Sequence, residues 1–476
     1  MSGAVLKTGV APSSPLKWAE EEIGGAELGD VRLAKRLVKV LAASISAPNE
    51  SIPRRCGEWF SVKGAYRFFS NEKVEPSAII DRHRQSVVRR AQGESVVLAV
   101  QDTTFLDYTH YPETQGLGPL ADMVHHGLVL HPTFVVTPSR VPLGFIFVDT
   151  WILDIDTFGT SDETRKDREI EEKESRKWLN GFGESENFQR EVGEGTMVVV
   201  TGDRESDVYE LLFEATRPET KCRLIARAMN NRTLLEEAGH VFDAVAAEEP
   251  VAEIVVGIPR RLDRKPRRAT LAVRFKKVTL RVPPGRPKSS GLAPIEVMVV
   301  SAEEVDPPEG IEAVSWTLLT TLPVDGAEDA IRVVEWYACR WMIEVLFRVL
   351  KTGCLVEKRQ LETRERLERC LAVDLIVAWR ILYLTMVGRE TPNLPCSAVF
   401  EEYEWKALYV FVHKSRDAVP KEPPTLREVT RLIGRLGGHL GRKSDGHPGP
   451  MTLWRGLQRL PDISEMWQIF EMVDLE

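Results

Sequence analysis

Residues 95–102 read SVVLAVQD, and residues 196–203 read TMVVVTGD. Each run is short, apolar and rich in β-branched residues, so each predicts a buried strand. Each run also ends directly at an aspartate, which is Asp102 in the first and Asp203 in the second. A single acidic residue at the end of a strand is weak evidence for a site, because such residues also begin ordinary turns. Two of them indicate a sheet edge that presents carboxylates.

A third acidic residue lies on a helix predicted from about residue 327 to residue 350. Its sequence is Tyr337-x2-Arg340-x3-Glu344-x6-Lys351. At about 100° per residue, these four side chains fall on one narrow stripe of a continuous helix. The stripe suits a phosphate track beside a metal site, and the alternative is an exposed face of ion pairs. An apolar side that would anchor the helix to a sheet is formed by Ile343, Leu346, Phe347 and Leu350.

The other elements follow from apolar periodicity and turn residues. Helices are predicted at 18–23, 30–43 and 60–69 in the N-terminal part, with Asp30 as an N-cap. Strands at 127–136 and 142–151 are predicted to form an antiparallel meander with the strand at 95–101. An acidic helix is predicted at 162–179. A helix at 208–216 and a strand at 222–227 follow.

The segment from about 230 to 325 has a different composition, with short strands separated by proline-rich turns. It predicts a β-rich insertion, and from about 390 the chain is predicted to be helical and loop-rich. The strands predicted in the insertion are 252–257, 269–275, 278–282, 296–301 and 316–321.

Composition limits the class of protein. The chain has 476 residues, of which 43% are hydrophobic, which is enough for two to four domains with a large core. The longest apolar stretch, 371–387, contains Asp374 and Arg380, so no membrane span is expected. No secretory signal is recognised, and the six cysteines are widely scattered. A reduced, cytoplasmic protein is expected.

The formal net charge is −8, but positive charge is concentrated locally. Residues 260–288 contain twelve Lys or Arg and a single acid, Asp263. Basic surfaces of this kind are what contacts to DNA phosphates need, whatever the total charge of the protein. The alternative is a solvated hairpin that binds nothing.

The residue types also suit a particular chemistry. Cleavage of a phosphodiester requires an activated nucleophilic oxygen and a neutralised leaving oxygen, and a pair of divalent metal ions can provide both. Magnesium prefers oxygen ligands, so three carboxylates suffice without histidine or cysteine. Asp102, Asp203 and Glu344 are therefore the candidate catalytic residues and metal ligands.

The helix motif Y-x2-R-x3-E-x6-K resembles the signature of the DDE transposases of the insertion-sequence-4 group, in particular those of the transposon-five type. The resemblance extends nearly from end to end, in the same motif order. It is carried by LGDVRLAKRL at Leu28, KGAYRFFSN at Lys63, VQDTT at Val100, EKESRKWL at Glu172, GDRESD at Gly202, WTLLTTLPV at Trp316, YACRWMIEVLFRVLKTG at Tyr337 and RLGGHLGRK at Arg435.

This resemblance implies an α/β (α+β) fold with an RNase H-like catalytic core. The core would span residues 79–388 and contain the β-rich insertion at about 230–325. It would be flanked by an N-terminal helical DNA-binding domain at 1–78 and a C-terminal helical dimerisation domain at 389–476.

The resemblance also implies roles for individual residues. Asp102, Asp203 and Glu344 would hold two Mg²⁺ or Mn²⁺ ions. Phosphates at the transposon end would be bound by Tyr337, Arg340 and Lys351. Trp316 would stack on a base turned out of the duplex, and its alternative is a core tryptophan. Further contacts with end DNA would come from Arg227, Arg36 and Arg67.

The implied activity is cut-and-paste transposition. Water would cut one strand at the transposon end, the freed 3′-hydroxyl would attack the other strand to form a hairpin, water would open it, and the 3′-hydroxyl would join target DNA. The partners would be double-stranded DNA and a second copy of the chain. Two rival functions stay open: an RNase H-like nuclease or resolvase without strand transfer, and a non-catalytic DNA-binding inhibitor.

Overall fold

The structure is a computed structural model that describes residues 15–153, 175–236, 239–258, 267–286, 291–442 and 445–473. It is a mixed α/β protein, as predicted. The described residues divide into two compact units. The first unit takes its residues from 1–94, 103–155 and 342–476, and the second from 95–102 and 156–341.

The helices and strands are numbered in chain order. The strands are β1 (Val96–Gln101), β2 (Thr104–Asp107), β3 (Gly118–Pro119), β4 (His126–Val136), β5 (Pro142–Trp151), β6 (Met197–Gly202), β7 (Arg223–Arg227), β8 (Ala252–Ile258), β9 (Arg267–Leu280), β10 (Ile295–Glu304) and β11 (Ser315–Thr320). The α-helices are α1 (Pro15–Ile23), α2 (Val31–Ser46), α3 (Ile52–Cys56), α4 (Trp59–Phe69), α5 (Pro76–Ala91), α6 (Arg176–Val192), α7 (Tyr209–Ala215), α8 (Val241–Ala246), α9 (Ala327–Ala338), α10 (Trp341–Arg348), α11 (Arg364–Glu390), α12 (Glu402–His413), α13 (Leu426–Leu436) and α14 (Pro450–Val473).

The N-terminal part of the first unit is helical, which confirms the prediction for that region. Asp30 caps α2, since its carboxylate accepts a hydrogen bond of 2.8 Å from the backbone N–H of Arg32. A side-chain acceptor at this position satisfies an N–H that the helix itself leaves unpaired. The sequence therefore fixes where this helix begins.

The strands of the first unit centre on β4, which pairs antiparallel with β5, β2 and β3. Helix α5 packs against β5. At Gly144 the contact is so close that an added Cβ would lie 2.4 Å from Nε2 of His83, and its φ of +136° also favours glycine. The β4–β5 hairpin confirms part of the predicted meander, while β2 and β3 were not predicted.

Helix α11 forms the core of the first unit. Its length and composition would allow it to span a membrane, but 94% of its most apolar 18-residue stretch is buried within the protein. Asp374 in this helix is fully buried, and its carboxylate accepts hydrogen bonds of 2.8 Å from both Arg55 and Arg359. The helix is thus a core helix whose buried charge is paired with cations from neighbouring segments.

The second unit contains a sheet with the strand order β1-β6-β7-β11-β10-β9-β8. Strands β1, β6 and β7 are parallel, and the remaining pairs are antiparallel. The parallel strands are buried apolar runs, as expected for strands covered on both faces. Strands β8 to β11 account for the predicted β-rich segment. Strand β9 is continuous where the sequence predicted two strands, because Lys276 and Lys277 stay paired with β10.

The predicted helix from 327 to 350 is wrong in one respect: it is not continuous. Helix α9 ends at Ala338, residues Cys339 and Arg340 form a turn, and α10 starts at Trp341. A π-helical turn, Val349–Gly353, follows α10. The stripe calculated for a straight helix therefore does not apply across Tyr337, Arg340, Glu344 and Lys351.

Two predicted features lie wholly or partly outside the described residues. The acidic helix predicted at 162–179 falls there except for its end, which belongs to α6. The basic run at 260–288 is described only in its middle part, where β9 carries it.

Candidate active site

The first two predicted carboxylates lie at the same edge of the second unit's sheet. Strands β1 and β6 pair in parallel, and the last matched residues are Val100 and Thr201. Asp102 and Asp203 each lie two residues beyond this pair, at the carboxyl ends of neighbouring strands. Because neighbouring strands lie about 4.8 Å apart, the register brings these two acidic residues side by side.

The backbone after β6 is shaped by its contacts with Asp203. The Asp203 carboxylate accepts a hydrogen bond of 2.9 Å from the N–H of Glu205, and its carbonyl accepts one of 2.6 Å from Ser206. Gly202 has no room for a side chain, because an added Cβ would lie 2.4 Å from Cβ of Ser206 and 2.9 Å from the Trp178 ring. The Gly-Asp pair thus gives a tight turn that leaves Asp203 at the strand end.

Asp102 is paired with a cation. Arg340 donates a hydrogen bond of 2.7 Å to Oδ2 of Asp102, and the two side chains are 14% and 16% exposed. The turn between α9 and α10 therefore places Arg340 on a carboxylate rather than along a helical stripe. Both side chains keep some contact with solvent, so this pair is not sealed inside the core.

Beside this pair, Tyr337 joins Arg227 and Trp316 in one cluster. Arg227 donates a hydrogen bond to the carbonyl of Ser315 at 2.9 Å and interacts with the hydroxyl of Tyr337. The rings of Trp316 and Tyr337 meet edge to face at 5.4 Å between centroids. Burial raises the pKa of Tyr337, opposed by Arg340 and Arg227, and burial lowers the pKa of Arg227.

The cluster is not the exposed, ion-paired helix face that was the alternative to the predicted stripe. Tyr337 is only 4% exposed, whereas Trp316 is half-buried. Trp316 is therefore not a core tryptophan, and part of its ring is accessible to solvent. Within the second unit, the structure brings together Asp102, Arg340, Tyr337, Arg227 and Trp316.

Glu344 and Lys351 belong to the first unit. Glu344 is half-buried in the first turn of α10, and the apolar residues around it, such as Ile343 and Leu346, are buried as predicted. Lys351 lies in the π-helical turn, where its Nζ donates to the carbonyl of Phe105 at 2.5 Å and lies 3.4 Å from Glu357.

One residue that shapes the site was not predicted from the sequence. Asp207, the last residue of GDRESD, is 6% exposed and is surrounded by donors from the segment after β7. Its carboxylate accepts hydrogen bonds from the N–H groups of Met229 and Asn230 at 2.8 and 2.7 Å, and it is paired with Arg232. Asp207 holds this segment against the turn after Asp203. Its burial, which the motif alone did not reveal, distinguishes it from a metal ligand.

The two N-terminal arginines occupy different environments. Arg36 is half-buried, with its guanidinium over the ring of Phe60 at 5.8 Å, whereas Arg67 is exposed. Trp59 and Phe60 at the start of α4 are 77% and 74% exposed. Arg36 thus borders a surface with an exposed aromatic ring, which is a suitable composition for contact with DNA.

The donor set at the sheet edge fits a hard cation. Asp102 and Asp203 offer carboxylate oxygens, which are the ligands that magnesium prefers. Over the part of the chain that the structure describes, no group of three or more His, Cys, Asp or Glu side chains is arranged to hold a metal ion. Of the three predicted metal ligands, the second unit therefore brings together two, which are the carboxylates of Asp102 and Asp203.

Comparison with known families gives three matches along the chain. Residues 15–74 match the family described as transposase DNA-binding, and residues 184–379 match the transposase DDE domain. Residues 376–468 match the transposase Tn5 dimerisation domain. A DDE domain of this kind implies an RNase H-like core.

Among solved structures, the chain is similar to one described as a piggyBac transposase synaptic complex with hairpin DNA. The sequence identity is 10% and the TM-score 0.38, with 83% of this chain and 77% of that chain covered. A likeness at this level says nothing about residues or activity.

Proposed function

Since its DNA-binding, DDE and dimerisation domains make this chain a DDE transposase, we propose that it is a cut-and-paste enzyme of the insertion-sequence-4 group and the transposon-five type. It binds the ends of its transposon, cuts them through a hairpin intermediate and joins the 3′-hydroxyl ends to target DNA. The proposed domain bounds are 1–78, 79–388 and 389–476.

One observation carries this proposal. Asp102 and Asp203 lie at the carboxyl ends of neighbouring parallel strands, and both are held by short hydrogen bonds rather than buried in the core. We propose that Glu344 is the third ligand, and that these residues hold two Mg²⁺ or Mn²⁺ ions. The ions would polarise the scissile phosphate and stabilise the attacking and leaving oxygens.

The chain's own residues contribute binding and orientation. Arg340 donates to Asp102, and its guanidinium would turn to a phosphate oxygen where Asp102 holds a metal ion. Arg227 and Lys351 supply further positive charge, and the hydroxyl of Tyr337 can donate to a phosphate once Arg227 has moved to DNA. Trp316 offers an accessible indole for a base turned out of the strained hairpin.

The N-terminal helices and the C-terminal region would supply DNA affinity and pairing. We propose that Arg36 and Arg67 contact the backbone of the end DNA and that two chains form a homodimer in the synaptic complex. Double-stranded DNA and a second copy of the chain are the partners, and the proposed location is the bacterial cytoplasm.

The test begins with the substrate. Inverted repeats that flank the gene in the source genome would be located by footprinting with the purified chain, and these ends would be incubated with Mg²⁺. We expect nicking, hairpin formation, hairpin opening and joining to plasmid DNA, in that order. Cleavage without joining would favour the nuclease or resolvase, and binding without cleavage would favour the inhibitor.

The role of Glu344 is tested with a matched pair of variants. Glu344→Ala is expected to abolish cleavage while end binding changes by less than about threefold, since a lost ligand affects chemistry rather than phosphate contacts. Glu335→Ala makes the same change at an exposed position of α9 and is expected to cleave normally. Near-normal cleavage by Glu344→Ala would remove Glu344 from the site.

A further inference from the structure

Helix α4 has one face of exposed aromatic and basic side chains, within the region that matches the DNA-binding family. At about 100° per residue, these side chains fall within roughly one third of the helix circumference. They are Trp59, Phe60, Lys63, Tyr66 and Arg67. The opposite side of the helix is buried in the first unit and consists of Val62, Ala65, Phe68 and Phe69.

Two aromatic rings on this face are left in water. Trp59 and Phe60 are adjacent in sequence, and both are mostly exposed to solvent. Exposed apolar surface is unfavourable in water, and adjoining exposed rings mark a surface that another molecule covers. Rings of this kind cannot bind phosphate groups, so they would contact an apolar part of that molecule.

Arg36 joins this face from helix α2, which packs against α4. Its guanidinium lies 5.8 Å from the centroid of the Phe60 ring and directly against Gly64. An added Cβ at Gly64 would overlap this guanidinium, and glycine within a helix is destabilising relative to alanine. Gly64 therefore gives the cation room beside an exposed ring.

The charge of this face identifies a polyanion as the partner. Between residues 58 and 69 the sequence has one acid, Glu58, against Lys63 and Arg67, and Arg36 adds a third cation. Among the described residues, none of these three cations is in an ion pair. The nearby ion pairs instead join Arg32 to Asp30 and Arg54 to Glu50. Unpaired cations beside exposed rings suit nucleic acid.

The cations of strand β9 are in a different state. Arg274, Lys276 and Lys277 lie 3.6, 3.3 and 2.7 Å from carboxylate oxygens of neighbouring segments. A cation that is already paired with a carboxylate has less to offer a phosphate than one that is not. High local positive charge in the sequence is therefore a weaker sign of a DNA surface on β9 than on α4.

We propose that Trp59 and Phe60 read the base sequence of the transposon end by apolar contact with thymine methyl groups. An α-helix fits the major groove, where the thymine methyl is an apolar group on the base edges. Arg36, Lys63 and Arg67 hold phosphates beside these bases. The inference rests on the proposed function and separates the side chains that read bases from those that hold the backbone.

The first experiment measures binding of the purified full chain to a duplex of the flanking inverted repeat and to a scrambled duplex of the same composition. We expect Trp59→Ala and Phe60→Ala each to lower the preference for the repeat by about tenfold. The slope of log affinity against log salt should not change, since no phosphate contact is lost. A preference retained in both variants would overturn the reading role alone. A wild-type chain without any preference would refute the proposed end binding as well.

The second experiment tests the phosphate contacts with a matched pair of lysines. Lys63→Gln is expected to reduce the salt slope by about one and to leave the preference for the repeat unchanged. Lys277→Gln is the control, because Lys277 is also exposed but lies 2.7 Å from Glu296. An equal fall of the slope in both variants would overturn the assignment of phosphate contacts to α4.

The third experiment tests the methyl contact directly. Single thymines of the repeat are replaced by deoxyuridine, which removes only the methyl group. At one or more positions we expect wild-type binding to weaken by about fourfold, the worth of one buried methyl group. The same replacement should have no effect on Trp59→Ala or Phe60→Ala. No effect at any position, or an equal loss in the wild type and both variants, would overturn the thymine contact.

A measurement on the wild-type chain covers the case in which a variant fails to fold. 5-Iododeoxyuridine, which carries iodine in place of the methyl group, is placed at the sensitive position and photolysed in the complex. Mass spectrometry then identifies the crosslinked residue. We expect Trp59 or Phe60, and crosslinks confined to any other part of the chain would refute the proposal.

Discussion

Two arginine–aspartate pairs in this protein have nearly the same geometry and different surroundings. In the first unit, Arg55 lies 2.8 Å from Asp374, and the two side chains are 3% and 0% exposed. In the second unit, Arg340 lies 2.7 Å from Asp102, and the two side chains are 14% and 16% exposed. Distance alone therefore does not distinguish a structural ion pair from one in the candidate active site.

Surroundings make the difference. Asp374 has a second cation, Arg359, whose Nη2 also donates to the carbonyls of Pro48 and Cys354 at 2.8 and 2.6 Å. The three side chains of this network are at most 4% exposed, and breaking the network leaves buried charges unpaired. The Asp102–Arg340 pair is more exposed and lies at the carboxyl end of β1, where the proposed metal ion and phosphate would replace both partners.

The largest effect is expected for Asp102→Asn. Loss of one ligand charge should slow end cleavage by about 10⁴-fold, or ~5.5 kcal/mol of activation free energy, with a melting temperature within about 2 °C of wild type. Single-turnover cleavage and thermal unfolding measure the two quantities. If the melting temperature fell strongly while cleavage was retained, Asp102 would be a structural residue, as Asp374 is.

The opposite result is expected for Asp374→Asn. It leaves Arg55 and Arg359 buried without a counter-charge, so the free energy of unfolding should fall by about 3–5 kcal/mol. Urea denaturation of the two aspartate variants in parallel provides the comparison. A cost below about 1 kcal/mol would show that this buried network is not needed for stability.

The next prediction concerns pH. Burial alone would raise the pKa of Glu22, but Arg90 at 2.9 Å and His83 at 2.6 Å lower it from 4.5 to about 2. A carboxyl with a depressed folded-state pKa stabilises the fold above its unfolded pKa, and this contribution is lost as pH falls through the folded value. At pH 7 it amounts to about 3 kcal/mol.

Glu22→Gln is therefore expected to be less stable than wild type at pH 7 and to approach wild type as the pH falls from 4.5 to about 2. Denaturation curves at several pH values measure the difference. The Phe145 N–H donates to Nε2 of His83, so Nδ1 carries the proton that bonds to Glu22. A stability difference that is constant with pH would contradict the proposed linkage.

The smallest effect extends the comparison to aromatic pairs. The rings of Trp18 and Trp379 stack in the core with their centroids 6.1 Å apart, whereas the half-buried ring of Trp316 contacts that of Tyr337 in the candidate active site. Trp316→Ala is expected to slow hairpin formation more than the first nick, by an amount equivalent to about 1–3 kcal/mol for one stacked base. Trp316→Phe should recover part of the rate. Equal slowing of both steps in rapid-quench assays would count against base stacking.

Much of the local structure was predictable from sequence. The apolar runs that end at Asp102 and Asp203 were correctly predicted as strands, and Asp30 was correctly predicted as a cap, because burial and capping are encoded in a few consecutive residues. The roles of the predicted site residues remain proposals.

The tertiary structure decided where the helix at 327–350 breaks and which charges are buried. The break after Ala338 gives Arg340 to Asp102, a residue 238 positions earlier in the chain. Periodicity describes only a straight helix, so it could not predict this pair or the donors around Asp207. Each of these depends on contacts between distant segments, and the free energy of a buried charge is set by the groups that the fold brings to it.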